Sequence, residues 1–200
     1  MNKRVLSLFL VVFVFFTANP LFSQEKNQQS QHGQNGAPRH QLGDTFAGGK
    51  IFWLDGSGQH GLVAASADQS AKGVAWNPGK LIATGSDSDE LFAGLKNSEK
   101  IVTKQGNSEL SAAKLCLDYS VTSNNVEYSD WYLPSKFELN LLYQQKMLIG
   151  GFNQTSGIYW SSTESTTSPD SMAWEQEFKF GSQHEDDKDL PDQVRCIRKF

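Results

Sequence analysis

The 200-residue sequence predicts an α+β domain. Three features predict it: a strand-turn-helix corner over 130–143, helically spaced apolar residues just before it, and strand-like apolar runs towards both ends of the region. The corner carries the fullest instruction. Trp131, Tyr132 and Leu133 are strand formers, and Pro134 holds the residue before it extended. Ser135 is placed to accept the first unpaired N–H groups of a helix, and Glu138, three residues on, reaches back to the Ser135 amide. Phe137, Leu141 and Leu142 give that helix, expected over 136–147, an apolar face at three- and four-residue spacing.

At the start of the chain, Lys3 and Arg4 precede an apolar run over 5–16, and Pro20 breaks it before Ser23. Residues 1–23 therefore read as a signal peptide, since a run of 12 residues falls short of the roughly 20 a spanning helix needs. No cysteine lies near the cut, so no lipid attachment is expected. The chain is expected to be secreted, periplasmic or at the cell surface, with no integral span after cleavage. Removing Lys3 and Arg4 leaves 16 basic against 22 acidic residues, a net charge of −6 over 177 residues. That balance argues against nucleic acid or an anionic membrane as partner.

Residues 24–41 are rich in Gln, Asn, Ser and Gly and read as a disordered linker, with His32 and His40 solvated. One domain is expected over 42–200. The runs 50–54 and 61–65 form a hairpin around a six-residue turn, in which Asp55 is a turn residue. Residues 67–95 read as loops with one short strand, and Trp76-Asn77-Pro78-Gly79 as an aromatic-bearing turn. A short helix starts at Asn97 and buries Ile101 and Val102 until Gly106 ends it. Ser108 is expected to cap a second helix, with Leu110, Ala113 and Leu117 on one stripe and Ala112 and Cys116 beside it. Residues 120–129 read as a polar connection.

Beyond the Gly150-Gly151 turn come three strand-like segments. The first, 158–163, is aromatic and β-branched. The second, 172–180, puts Met172, Trp174, Phe178 and Phe180 on one face and Ala173, Glu175, Glu177 and Lys179 on the other. The third, 193–200, aligns Val194, Cys196, Arg198 and Phe200. The acidic run 184–189 reads as a charged hairpin turn rather than a calcium loop. The two cysteines, Cys116 and Cys196, are either a disulfide, the reading that export favours, or two buried thiols. Two cysteines and scattered histidines do not make a zinc site, and neither metal nor cofactor is expected.

A helix with a cysteine, then Asp130-Trp131-Tyr132-Leu133-Pro134-Ser135, a Glu-bearing helix, Tyr159-Trp160-Ser161-Ser162-Thr163-Glu164, Ala173-Trp174 and Val194-Arg195-Cys196-Ile197-Arg198 follow one another. This order resembles the Legionella collagen-like protein C-terminal domain family over residues 43–200. The resemblance implies a C-type lectin-like fold, two main helices packed on a small, mostly antiparallel sheet with long loops. Its landmarks would be Cys116, Glu138, Trp160, Trp174 and Cys196, and it implies a Cys116–Cys196 bond. The Glu-Pro-Asn or Gln-Pro-Asp loop and the Trp-Asn-Asp strand of calcium-dependent lectins are missing, so the usual lectin calcium site is not implied.

No Ser-His-Asp set, metal-binding His-Glu motif or phosphate-binding Gly loop is present, and no catalytic residue is assigned. The expected function is a non-catalytic binding module for glycan or a cell-surface protein. The expected ligand-binding residues are Trp76, Asn77, Tyr159, Trp160 and Glu164, with Trp76 the tryptophan least expected to be buried. Trp131, Pro134, Ser135, Glu138 and Trp174 are expected to be structural, and Trp53, Trp131 and Trp174 to lie in the core. The alternatives are an enzyme on a lectin-like scaffold of the formylglycine-generating type and a structural subunit of a surface assembly.

Overall fold

The computed structural model describes residues 39–106, 110–153 and 157–200. The expected signal peptide, nearly all of the expected linker and the expected Ser108 cap lie outside the described residues. In chain order the elements are β1 (Thr45–Phe46), β2 (Gly49–Leu54), β3 (Gly61–Ala65), β4 (Val74–Ala75), α1 (Gly94–Gln105), α2 (Ala112–Leu117), β5 (Val121–Ser123) and β6 (Val126–Tyr128). There follow α3 (Lys136–Gln144), α4 (Lys146–Ile149), β7 (Ile158–Glu164), β8 (Met172–Glu177), β9 (Gln183–Asp187), β10 (Pro191–Asp192) and β11 (Ile197–Lys199). The architecture is α+β, with four small antiparallel sheets among the described residues.

The principal sheet has the order β1-β2-β3-β11 and is buried on both faces. Ile51 and Val63 face a cluster with Trp131, Cys116, Ile101 and Trp160, while Phe52, Leu62, Ala64 and Ile197 face Leu139, Leu142, Tyr159 and Phe178. Two-sided burial explains why β3 reads as an unbroken apolar run rather than an alternating one. The β2–β3 turn is held by Asp55, whose Oδ1 accepts the Ser57 N–H at 3.0 Å, the Ser57 hydroxyl at 2.6 Å and the Gly58 N–H at 3.0 Å. These three donors hold its carboxyl below the usual range despite the opposing effect of desolvation.

Cys116, inward on α2, is bonded to Cys196 just ahead of β11, with their Cα atoms 5.3 Å apart. Closing a loop across 80 residues contributes about 4–5 kcal/mol in the chain-entropy account. Helix α2 is capped by Ser111, whose side chain accepts the Lys114 N–H. Its buried residues are Ala112, Ala113 and Cys116, and Leu110, expected on its inner stripe, precedes the helix and is 52% exposed. Helix α1 begins at Gly94, three residues before its expected start, and Asn97 and Ser98 are buried within it.

Three further departures bear on the site. The connection at 120–129 is a hairpin, β5–β6, turned by Asn124 and Asn125 in the left-handed region at φ 52° and 63°. Only the end of the acidic run is a turn, at 188–189: residues 183–187 form β9, the outer strand of the sheet β7-β8-β9. And the faces of β8 are reversed from a simple apolar-in pattern, with Ala173 and Glu175 buried while Met172 and Trp174 are only half-buried. His40, expected in the solvated linker, instead packs on Phe46 and Phe200 with ring centroids 4.3 and 5.3 Å away, and its backbone N–H donates to the Gly58 carbonyl.

Candidate functional site

All five residues expected to bind ligand are internal. Trp76, Asn77, Tyr159 and Trp160 are 0% exposed and Glu164 is 2% exposed. The physical reason is that β7 runs through the middle of the molecule, paired with β8 on one side and with the Gln193 segment on the other. The two indoles serve as struts: Trp76 Nε1 donates to the Ser161 carbonyl at 2.8 Å, and Trp160 Nε1 donates to the Val74 carbonyl at 3.0 Å. Asn77 Nδ2 donates to the Lys80 carbonyl. The Tyr159 hydroxyl donates to Asp68 at 2.9 Å and accepts the Asn153 N–H at 2.6 Å. Burial, and then the neighbouring Asp68 charge, push that phenol upward. None of these rings presents a face for stacking a sugar.

Two of the buried residues, Glu164 and Glu138, instead organise the long irregular segment between β4 and α1. Glu164, at the end of β7, accepts the Thr84 N–H at 2.9 Å, the Gly85 N–H at 2.5 Å, the Ser86 N–H at 3.2 Å and the Thr84 hydroxyl at 3.0 Å. It also pairs with the wholly buried Lys188 ammonium at 2.9 Å. Lys188 Nζ donates in addition to the Pro169 carbonyl at 2.6 Å and the Ile82 carbonyl at 3.2 Å, so its three protons have three acceptors. The ammonium lies 4.3 Å from the centroid of the Trp76 ring, which joins two of the five expected residues through one lysine. Burial alone would raise the Glu164 carboxyl, but Lys188 and the Thr84 donors outweigh it and hold it below its ordinary value.

Glu138 closes the other end of the segment. It completes the expected capping box with Ser135, accepting the Ser135 N–H at 2.9 Å while the Ser135 hydroxyl accepts the Glu138 N–H at 3.2 Å. The same carboxylate accepts N–H groups from Phe92 at 3.0 Å and Gly94 at 3.2 Å, at the start of α1, which has no side-chain cap of its own. One glutamate thus serves the N-termini of two helices. Gly94 permits the approach, because a Cβ there would sit 2.5 Å from Glu138 Oε2. Burial drives this carboxyl above its ordinary range, since its donors are three N–H groups and the Tyr132 hydroxyl, all neutral.

The residues expected to be structural divide. Trp131 is fully buried, and Pro134 accepts the Ser162 N–H at 2.7 Å through its carbonyl. Trp174, expected in the core, is half-buried, with Lys136 Nζ 3.3 Å from its ring centroid. Trp53 is likewise half-buried, edge-on to Phe92 at 5.7 Å, and Lys199 covers Phe92 at 4.2 Å. The burial of the tryptophans is therefore inverted for Trp76 and Trp174. Phe137, expected on the inner face of α3, is 44% exposed, and its N–H donates to Asp89 at 2.6 Å.

The remaining polar constellation is acidic. Glu175 of β8, Asp186 of β9 and Asp192 of β10 bring carboxylate oxygens within 4.8 Å of one another. Among the described residues no lysine, arginine or histidine forms an ion pair with any of the three. Burial, and then Asp192, push the Glu175 carboxyl up to about 9.

Compared with known families, residues 65–198 match the Lcl C-terminal domain. The chain belongs to the Lcl C-terminal domain family. No curated protein matches it. The matched part of this Lcl domain runs from the last residue of β3 into β11 and contains both cysteines, both glutamate clasps and the acidic cluster. A disulfide is compatible with an exported Lcl domain. No helix among its described residues is long and apolar enough to cross a membrane.

The acidic cluster of the Lcl domain was missed in the sequence for a definable reason. Alternation in 172–180 grouped Glu175 with Lys179, as on a solvated face, and the run 184–189 read as a turn. A signal was present in the alternation of 183–187, where Asp186 lies opposite Ala173 and shares a face with Glu175.

Proposed function

We propose that this Lcl domain is an exported or surface-exposed binding module without catalytic activity, recognising glycan or another surface macromolecule. The observation that carries the reading is the family match over residues 65–198. The order of parts supports a C-type lectin-like plan: Cys116 on α2, Glu138 on α3, Trp160 on β7, Trp174 on β8 and Cys196 before β11. The usual lectin calcium motifs play no part in it. With Trp76, Tyr159 and Trp160 buried, the tryptophans left partly accessible to a ligand among the described residues are Trp174 beside Lys136 and Trp53, which packs on Phe92 beside Lys199.

The test is a glycan array of neutral and sulfated saccharides, probed with the chain and with Trp174→Ala and Trp53→Ala. Binding by the wild type that either variant loses is the expected result. An array with no hits removes the glycan form of the proposal. The enzyme reading in its thiol-based form is disfavoured by the disulfide, which occupies both cysteines. An alkylatable cysteine in the oxidised folded chain would revive it.

A further inference from the structure

The acidic cluster differs from a solvated charged patch in where its oxygens are. Glu175 is 5% exposed, and its Oε2, like Asp192 Oδ2, is buried with no hydrogen-bond partner. A buried carboxylate oxygen without a donor is costly, and each remaining oxygen of a polar cluster needs a proton, a water or a cation. The two buried glutamate clasps, by contrast, have their donors: Glu164 has a lysine and three N–H groups, and Glu138 has three N–H groups and a phenol. In this cluster the Asp187 N–H reaches Asp186 Oδ1 at 2.8 Å, but no donor reaches Glu175 Oε2 or Asp192 Oδ2.

The three are also held by backbone rather than by loops. Glu175 lies between its partners Trp160 on β7 and His184 on β9, and Asp186 is two residues from His184 on the same face. Asp192 is placed by the pairing of β10 with β4. Three strands therefore deliver three carboxylates to one point, facing inward beside Ala173. Oxygen-only ligation by carboxylates suits a hard divalent cation. Ligands about 2.4 Å from a calcium ion lie up to about 4.8 Å apart across it, and the three carboxylate oxygens here lie within 4.8 Å of one another.

We propose that Glu175, Asp186 and Asp192 form a calcium site, with solvent completing the coordination shell. The ion neutralises three convergent negative charges and ties β10 to the β8–β9 hairpin, so its role is to hold the sheet β7-β8-β9 against the β4–β10 pair. This proposal is independent of the binding-module reading, because it uses none of the aromatic surfaces assigned there, and it departs from the expectation that the chain holds no metal. Sites of this kind in exported modules hold calcium with dissociation constants of about 0.1–1 mM.

The test uses the full chain, stripped with chelator, and CaCl2 alone as probe. With CaCl2 at about ten times the dissociation constant, Tm is expected to rise by about 3–6 °C, with matching heat in titration calorimetry. Asp192→Asn and Asp186→Asn are expected each to abolish the shift and the heat while still unfolding cooperatively. Should Asp192→Asn fail to fold, Asp186→Asn on the outer strand carries the test. No shift and no heat in the wild type would overturn the proposal, as would a shift that survives in Asp186→Asn. A response to ZnCl2 with none to CaCl2 would overturn the oxygen-only assignment and point to the cross-strand neighbour His184.

Discussion

Glu138 and Glu164 hold one irregular segment at two places, and each accepts three backbone N–H groups, Glu164 from Thr84, Gly85 and Ser86 and Glu138 from Phe92, Gly94 and its own helix's Ser135. Their acidities nonetheless move in opposite directions, Glu138 upward and Glu164 downward. Desolvation acts on both. The difference is Lys188, a full charge 2.9 Å from Glu164, where Glu138 has only dipoles and a phenol. Neutral donors can position a buried carboxylate, but here a counter-charge is what keeps it an anion. The two clasps thus do similar geometric work with different electrostatics.

The largest way to break that contrast is to remove the cation. Lys188→Met leaves Glu164 buried and uncompensated, and urea unfolding should show a loss of about 3–5 kcal/mol. Adding Glu164→Gln to that variant should restore part of the loss, because the stranded charge is gone. A cost no larger than about 1 kcal/mol for Lys188→Met would rank the pair with surface ion pairs and erase the distinction. Next in size, Glu138→Gln turns an amide NH2 towards donors that need an acceptor, with an expected loss of about 1–3 kcal/mol by urea unfolding. An unchanged midpoint would mean that a neutral carboxyl already occupies the clasp.

The smallest effect, and the most discriminating, is in the pH dependence. An ordinary glutamate carboxyl has a value of 4.5. Glu164, depressed when folded, contributes stability that is present above 4.5 and lost as pH falls through its folded value. Glu138, raised when folded, contributes stability that is present below 4.5 and lost as pH rises towards its folded value. Urea midpoints taken from about pH 3 to about pH 8 should therefore lose acid sensitivity in Glu164→Gln and lose a decline on the alkaline side of 4.5 in Glu138→Gln. Identical profiles for the two variants would show that the clasps are electrostatically equivalent.

The same pair marks how much of the molecule was legible in the sequence. The Ser135–Glu138 box could be read because both partners lie within one helical turn. Its second duty, at Phe92 and Gly94, spans more than 40 residues and leaves no local pattern. Glu164 and Lys188 are 24 residues apart, with Thr84 another 80 away, so neither spacing nor composition linked them. The hairpin β2–β3, the inward Cys116 and the alternating period of β8 were legible, being properties of short stretches. Which face of β8 turned inward was not, because the interior it meets is polar at Glu175 and Gln176. Nor was the burial of Trp76, which a Pro-Gly turn suggested would be outside, since it depends on a carbonyl from β7 and a lysine from the turn after β9.

The bond between Cys116 and Cys196 also decides how the domain bears a load. His40 and Phe200 touch, so the chain enters the described fold and reaches its last residue at one corner. Tension applied there first peels β11 from β3, a pairing of three residues. The next residue inward is Cys196, and its covalent bond passes the pull sideways into α2. Fraying from the last strand therefore stops at the staple, and Glu138, Glu164, the acidic cluster and Trp174, which all lie between the two cysteines, are insulated from it.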